Sequence, residues 1–289
     1  MLKKKDGYLL AAPLMIGLLI FSFYPFVYGI ALSLFDKTDK TSEFIGFTNF
    51  VNLWNDSLFW QSMGTMGKIF FFKILISVSM PLIMAELVFA VKGDKAQNVY
   101  RILILLPMVA PGVVGMLIWK QIYAVNGGVL NEILKGLHII TEDINWLGDT
   151  KWVLFSIVFL GFPWIGGTSV LIYMSGLMNI STEVIEASRL DGCSSFRRVF
   201  AIDLPLLLGQ IRYFLVFGII GALQDYSVQV VLTKGGPNTF DTYVPGYYMY
   251  KAAFTDNHFG YAAAIGTILF VLVGIFTILS YRFTRSEEA

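Results

Sequence analysis

The chain has 289 residues, of which 56% are hydrophobic and 14% are charged. A soluble protein with this balance would expose large apolar patches, so the composition predicts an integral membrane protein. The formal net charge of +1 leaves no basic face for a nucleic acid. The single cysteine, Cys193, cannot form an internal disulfide. The two histidines, His138 and His258, lie far apart in predicted external loops, which argues against a metal site.

Long apolar segments recur six times along the chain, and their lengths favour an all-α fold of membrane-spanning helices over β-barrel strands. The first segment is longer than the apolar part of a signal peptide, and no small-x-small cleavage site follows it, so we expect a signal-anchor helix. The sequence thus predicts a polytopic membrane protein with a single transmembrane domain, residues 1–289. The expected spans are about 8–35, 66–91, 102–123, 152–178, 206–232 and 261–283.

The distribution of lysine and arginine near the span ends predicts the orientation. With the N-terminus inside, twelve of these residues lie on the cytoplasmic side and seven lie outside. We therefore expect both termini in the cytoplasm. The polar segment 182–205, between the fourth and fifth spans, then also faces the cytoplasm, where ATP is found.

The second span carries two lysines, Lys68 and Lys73, and charged side chains within a span usually face a cavity or a partner. Lys68 is placed to extend its ammonium group to the external interface. Three roles are open for the deeper Lys73. It forms an ion pair with an acid such as Asp225, it faces an anionic substrate, or it also reaches the interface.

The fourth span contains several residues that weaken a helix, among them Gly161, Pro163 and Gly166. Such residues mark either a locally opened helix, as at transporter binding sites, or a helix packed closely against its neighbours. In the first case Trp164 is placed to stack on a sugar ring, and Thr168 lies one turn away from it.

The polar segment 182–205 predicts two short helices joined by a tight turn. The first helix is expected over residues 182–190, and the turn falls at Asp191 and Gly192, because glycine takes a positive φ without a Cβ clash. Either Ser194 or Ser195 can cap the second helix. From these residues alone, an ordinary amphipathic hairpin on the membrane surface is one interpretation.

The same segment reads E-A-S-x-x-D-G-C and continues to a hydrophobic-L-P ending. It resembles the EAA loop of binding-protein-dependent ABC importer permeases, with Ser188 and Cys193, both small, in place of the usual alanines. In that family the loop is a cytoplasmic coupling helix pair that docks into a cleft on the ATPase subunit. The positions to which the resemblance assigns ATPase coupling are Glu186, Ala187, Asp191, Gly192 and Pro205.

The fifth span places small residues one to two turns before polar ones. Asp225 and Gln229 are expected to share a helix face, with Gly218, Gly221 and Ala222 preceding them. Small residues followed by hydrogen-bonding groups form a groove that suits a hydroxyl-rich ligand. The alternative is that the two polar side chains only bond to a neighbouring helix.

The resemblance also extends to the substrate site. Residues 202–237 align without gaps to the larger subunit of maltose-type permeases, and the fourth span shares a Leu-Gly-aromatic-Pro-aromatic pattern with them. The substrate-binding positions implied in this way are Leu160, Gly161, Gly218, Gly221, Ala222 and Asp225. The residue patterns alone add Trp164, Thr168 and Gln229.

Motifs for catalysis or nucleotide binding are missing from the sequence. It contains no G-x-x-x-x-G-K-[ST], G-x-S-x-G or H-E-x-x-H pattern and no paired carboxylates within helical reach. We therefore expect a non-catalytic chain without a metal or cofactor of its own. The resemblance implies that ATP and Mg bind to a partner ATPase.

The resemblance implies a subunit of a sugar importer in the bacterial cytoplasmic (inner) membrane. Its expected partners, besides the lipid bilayer, are a second homologous permease that completes a heterodimer, two copies of an ABC ATPase subunit and an extracytoplasmic solute-binding protein. An oligosaccharide is the substrate that the resemblance favours, and glycerol-phosphate-type solutes are the other class in the family.

A self-sufficient secondary transporter or an integral membrane enzyme is the alternative of a different class. A proton- or sodium-coupled carrier should show internal repeats and acidic residues deep in several spans. Here only Asp225 is a clear candidate for such a deep acidic residue, because Glu86 lies nearer the inner end of its span. A single deep acid argues against a carrier.

Overall fold

The structure is a computed structural model that describes residues 4–238 and 240–284. The chain divides into two compact units, residues 1–63 with 244–272 and residues 64–243 with 273–289. The single domain of residues 1–289 stays a prediction. The two chain ends, residues 1–3 and 285–289, were expected in the cytoplasm and lie outside the described residues.

The first unit is mainly helical and contains one short hairpin. In the hairpin, strand Phe35–Lys37 pairs antiparallel with strand Ser42–Phe44, and Phe35 lies opposite Phe44. The helical segments of this unit, with the parts of the last two that belong to it, are Lys4–Leu18, the π-helical Leu19–Phe23, Tyr24–Leu32, Thr48–Trp54, Pro245–Phe254, Ser57–Phe89 and Phe259–Thr284.

Asp56 joins three parts of the first unit through hydrogen bonds. Its Oδ1 accepts a bond of 2.8 Å from the backbone N–H of Leu58, in the first turn of the Ser57–Phe89 helix. Its Oδ2 accepts bonds of 2.6 Å from the hydroxyls of Tyr248 and Tyr261. Burial raises the pKa of this carboxyl, but the hydrogen bonds outweigh burial, and the pKa lies below its ordinary value of 3.8.

The second unit holds the remaining helices and an apolar core. Ala85, Tyr173, Leu177 and Leu207 are each fully buried in this core, which several helices build together. The helical segments not yet named are Asp94–Leu105, the 3₁₀-helical Leu106–Val109, Gly112–Ile122, Val129–Gly136, Thr150–Phe159, Gly167–Met178, Thr182–Leu190, Ser195–Arg198, the π-helical Val199–Asp203, Leu204–Leu206, Leu208–Gln224 and the π-helical Gln229–Thr233.

Several helices have the length and composition of membrane spans. Four in the described part of the chain pass this test, and they correspond to the predicted first, second, fifth and sixth spans: Leu10–Leu32, Ser57–Phe89, Leu208–Thr233 and Phe259–Ser280. Asp94–Val109 and Gly112–Ile122 pass it only together, as a pair bent by 89°, which gives five spans if the pair counts as one. The count of six therefore stays a prediction.

The predicted third and fourth spans are both interrupted. In the third, Ala110 is extended, with ψ at 135°, because a proline disfavours helical backbone in the residue before it, here Pro111. In the fourth, the helix stops after Phe159 and resumes at Gly167, and between them Gly161 and Trp164 have φ values of 88° and 55°. The fourth span is therefore locally opened, as one of the two sequence interpretations predicted.

Candidate functional site

A cavity of about 520 Å³ lies among the helices of the second unit. We call it the interhelical cavity. Its walls come from the second span, the interrupted fourth span and the fifth span, and Met116 of the third span also contributes. Seven of the residues predicted to bind substrate line it: Leu160, Gly161, Trp164, Gly218, Gly221, Ala222 and Asp225. The substrate role of these residues stays a prediction, but the structure does bring them together.

The break in the fourth span places Trp164 on the cavity wall. Its indole Nε1 donates a hydrogen bond of 3.2 Å to the carbonyl oxygen of Val158, the last turn of the preceding helix. The ring also packs edge-on against Phe159 and Phe162, with centroid distances of 5.3 Å and 5.0 Å. These contacts fix the orientation of the indole before any ligand arrives.

Glycines on the fifth span determine how closely the neighbouring helices approach the cavity. A Cβ at Gly218 would lie 2.9 Å from the hydroxyl of Ser77 on the second span, so glycine permits this approach. A Cβ at Gly221 would meet no atom within 4 Å. Gly221 therefore adds open volume to the cavity, whereas Gly218 lets two helices pack.

Asp225 lies at a break in the fifth span, where the Leu208–Gln224 helix has just ended and the backbone turns extended, with ψ at 121°. Its Oδ1 accepts hydrogen bonds from the backbone N–H of Ser227 at 3.1 Å and from the Ser227 hydroxyl at 2.9 Å. Its Oδ2 accepts a hydrogen bond from the ammonium of Lys73, with which it forms an ion pair. This pair is one of the three roles that the sequence left open for Lys73.

The expectation that Asp225 and Gln229 share a helix face was wrong. The i, i+4 rule requires a continuous helix, and here the backbone is non-helical at Asp225. Gln229 instead begins a π-helical turn, where it is 2% exposed and does not line the cavity. Thr168 also lies off the cavity wall, exposed in the first turn of the Gly167–Met178 helix.

Sequence reasoning missed part of the cavity wall on the second span. Ser77 and Pro81 line the cavity together with Lys73. The three lie four residues apart, a spacing that places them on one face of a helix. Once Lys73 was suspected of facing inward, this spacing could have identified the other two. Ser169, which adds a second hydroxyl to the wall, carries no such signal.

Segment 182–205 contains the helix Thr182–Leu190, a turn, and the short helix Ser195–Arg198, which continues as the π-helical Val199–Asp203. That these helices form a coupling pair stays a prediction. The hydroxyl of Ser194 accepts from the backbone N–H of Arg197 at 3.3 Å, so Ser194 is the N-cap. Gly192 has a φ of 72°, as expected for the turn. The residues predicted to couple to an ATPase are all exposed on this segment: Glu186, Ala187, Asp191, Gly192 and Pro205. Their coupling role stays a prediction.

A buried ion pair lies within this segment and holds its second helix. Arg198 Nε donates to Asp203 Oδ2 at 3.0 Å, and Asp203 is fully buried. The Arg198 guanidinium also lies 5.6 Å from the ring centroid of Phe89, in the last turn of the second-span helix. The segment is therefore attached to the helix that carries Lys73.

A metal site is not found in the described ranges, where no three His, Cys, Asp or Glu side chains are grouped suitably for an ion. Membrane-length helices that are interrupted around a cavity are typical of membrane transport proteins. This architecture assigns the chain to the class of membrane transport proteins.

The family follows from comparison with known proteins. Residues 77–286 match the family described as binding-protein-dependent transport system inner membrane component. Because this match covers most of the chain, the chain belongs to that family. Membership confirms the predicted resemblance and makes the chain a non-catalytic membrane subunit, with the ATPase on a separate protein.

Two curated relatives agree with this assignment. The lactose transport system permease protein LacF of Rhizobium radiobacter is 28% identical over 286 residues, which cover 98% of this chain and 95% of the relative. The probable ABC transporter permease protein YesP of Bacillus subtilis (strain 168) is 30% identical over 283 residues, which cover 96% and 89%.

A similar fold is found in the crystal structure of a bacterial alginate ABC transporter in complex with an alginate pentasaccharide-bound periplasmic protein. The TM-score is 0.85 at 21% identity, over 97% of this chain and 95% of that chain. At this identity the likeness shows the fold, and the predicted all-α membrane fold is confirmed.

Proposed function

We propose that the chain is a permease subunit of an ATP-driven ABC importer that translocates an oligosaccharide delivered by a solute-binding protein. The observation that carries the proposal is the interhelical cavity, because it brings seven predicted substrate residues together at breaks in two spans. The relatives support the substrate class, since one is named for lactose and a structural neighbour for an alginate pentasaccharide complex.

The chemistry of the cavity wall suits a sugar. Its volume of about 520 Å³ falls within the range of roughly 300–1,000 Å³ usual for small-ligand sites. The indole of Trp164 offers an aromatic surface, and the hydroxyls of Ser77 and Ser169 offer hydrogen-bonding groups. Most of the remaining wall is aliphatic or glycine backbone, so a hydroxylated ring finds both apolar contact and a few polar partners.

The partners of the proposed importer follow from the exposed segment and the family. The chain pairs with a second homologous permease, two ATPase subunits bind on the cytoplasmic side, and a solute-binding protein docks on the external loops. ATP binding closes the ATPases, segment 182–205 moves with them, and the pore changes from inward- to outward-facing. Glu186 and the turn at Asp191 and Gly192 contact the ATPase in this scheme.

Purification of the tagged chain from mildly solubilised membranes tests the proposal. We expect a second permease and an ATPase to copurify, and we expect the associated solute-binding protein to bind oligosaccharides. Reconstituted vesicles should take up the bound sugar only with ATP inside. Uptake by the chain alone, without any ATPase, would instead identify a self-sufficient transporter.

A further inference from the structure

The charge of the interhelical cavity determines which sugars it accepts. We propose that the ion pair between Lys73 and Asp225 makes the cavity electrically neutral and thereby selects uncharged sugars over uronates and phosphorylated solutes. This inference rests on the proposed function and narrows its substrate class. It assigns Lys73 a role in specificity.

The ionisable groups on the cavity wall support this inference. Among the described residues that line the cavity, Lys73 and Asp225 are the only ionisable ones. Their formal charges cancel, so the wall has no net charge. The other polar groups on the wall are serine hydroxyls, the Trp164 indole N–H and the backbone, and none of them carries a charge. An anion therefore meets no uncompensated positive charge in the cavity.

The geometry of the pair makes it difficult for an anion to recruit Lys73. Each carboxylate oxygen of Asp225 already accepts hydrogen bonds, from Lys73 on one side and from Ser227 on the other. An anion that bound the Lys73 ammonium would leave the Asp225 carboxylate without its counter-ion in a partly buried site. The anion would then lie close to the negative charge of this carboxylate.

A neutral sugar does not encounter this obstacle. The two side chains are 26% and 27% exposed, so a ligand in the cavity can reach them. An ammonium has three N–H donors and a carboxylate has several acceptor positions. Sugar hydroxyls can therefore bond to either group while the ion pair stays intact.

The local charge can be measured without knowing the substrate. Cys193→Ser removes the single cysteine, and Ser77→Cys then places one thiol on the cavity wall, one helical turn from Lys73. The reaction rates of this thiol with 2-sulfonatoethyl and 2-(trimethylammonio)ethyl methanethiosulfonate are compared as a ratio, normalised to a free thiol. We expect a normalised ratio near one in the assembled complex.

Charge variants then test the contribution of each partner. Asp225→Asn should raise the anionic-to-cationic rate ratio by roughly tenfold, because a unit charge near the thiol is then unpaired. Lys73→Met should lower the ratio by a similar factor, and the double variant should restore it. Lys68→Met is the matched control, since Lys68 lies on the same helix but not on the cavity wall. If Asp225→Asn leaves the anionic-to-cationic rate ratio unchanged, the proposal is overturned. A parental thiol that reacts much faster with the anionic reagent also overturns it.

Transport by the complete importer tests selectivity itself. The probes are galactobiose, which is neutral, and digalacturonate, its acidic counterpart, and uptake of each is compared between the parent and Asp225→Asn. We expect the parent to prefer the neutral probe and Asp225→Asn to narrow this preference by roughly tenfold. Equal parental uptake of both probes refutes the charge selection. If the thiol ratios behave as expected but no sugar of any kind is imported, the proposed function fails instead.

Discussion

The turn at Gly192 allows the conformation of segment 182–205 to be tested separately from its surface. Gly192 has a φ of 72°, and a Cβ placed there would meet no atom within 4 Å. Space for a side chain is therefore free, and the obstacle is the left-handed backbone, which costs most L-residues about 1–2 kcal/mol. Asparagine tolerates this region, whereas the β-branched valine does not.

We expect Gly192→Val to disfavour the native turn by about 1–2 kcal/mol, which corresponds to a roughly tenfold shift in population. Gly192→Asn, of similar size, should remain near the parental level. The assay is the amount of ATPase subunit recovered per tagged chain from solubilised membranes, with membrane abundance as the control. If Gly192→Asn and Gly192→Val reduce the recovered ATPase subunit equally, the reasoning is refuted. Side-chain volume, and not backbone conformation, would then determine the recovery.

Three further replacements test other contacts. Asp225→Ala should change the substrate preference or uptake rate of the assembled importer, and loss of partner subunits in the pull-down would show a structural role instead. Because the pKa of Asp56 lies below 3.8, its contribution to stability is complete above that pH and is lost as pH falls through the lowered pKa. Asp56→Asn should therefore reduce the fall in melting temperature at acidic pH, and it should lower the free energy of unfolding by about 1–3 kcal/mol at neutral pH. An unchanged fall at acidic pH would contradict this. A Cβ at Gly260 would lie 1.9 Å from the Phe35 carbonyl oxygen, so Gly260→Ala should cost at least about 1–3 kcal/mol in the same melts, whereas Gly29→Ala, with open space around it, should melt like the parent.

Local rules predicted the turn and the cap in segment 182–205, because both depend on neighbouring residues. A glycine at the corner and a serine before the second helix are sufficient signals, and the positive φ of Gly192 and the cap by Ser194 agree with them. The sequence also offered the pairing of Lys73 with Asp225 as one of three roles, although 152 residues separate the two. Charges inside spans are few and costly to leave unpaired, so the number of candidate partners is small.

The break at Asp225 was not predicted, because no glycine or proline lies between Leu223 and Val228. Its cause is a local competition. The Asp225 carboxylate accepts from the backbone N–H and hydroxyl of Ser227, two residues on, which offers the chain an alternative to the helix. An Asp-x-Ser pattern inside an apolar span is the signal that could have revealed it. The burial of Gln229 follows from this break and could not be derived before it was known.

The second-span helix contacts both segment 182–205 and the interhelical cavity. At the C-terminal end of this helix, Phe89 lies against the guanidinium of Arg198 in segment 182–205. Sixteen residues earlier in the same helix, Lys73 is paired with Asp225 in the cavity. At 1.5 Å per residue the two positions are about 24 Å apart along the helix axis. The helix is continuous from Ser57 to Phe89 although it contains Pro81. This helix therefore links segment 182–205, through Arg198 and Phe89, to the ion pair on the cavity wall.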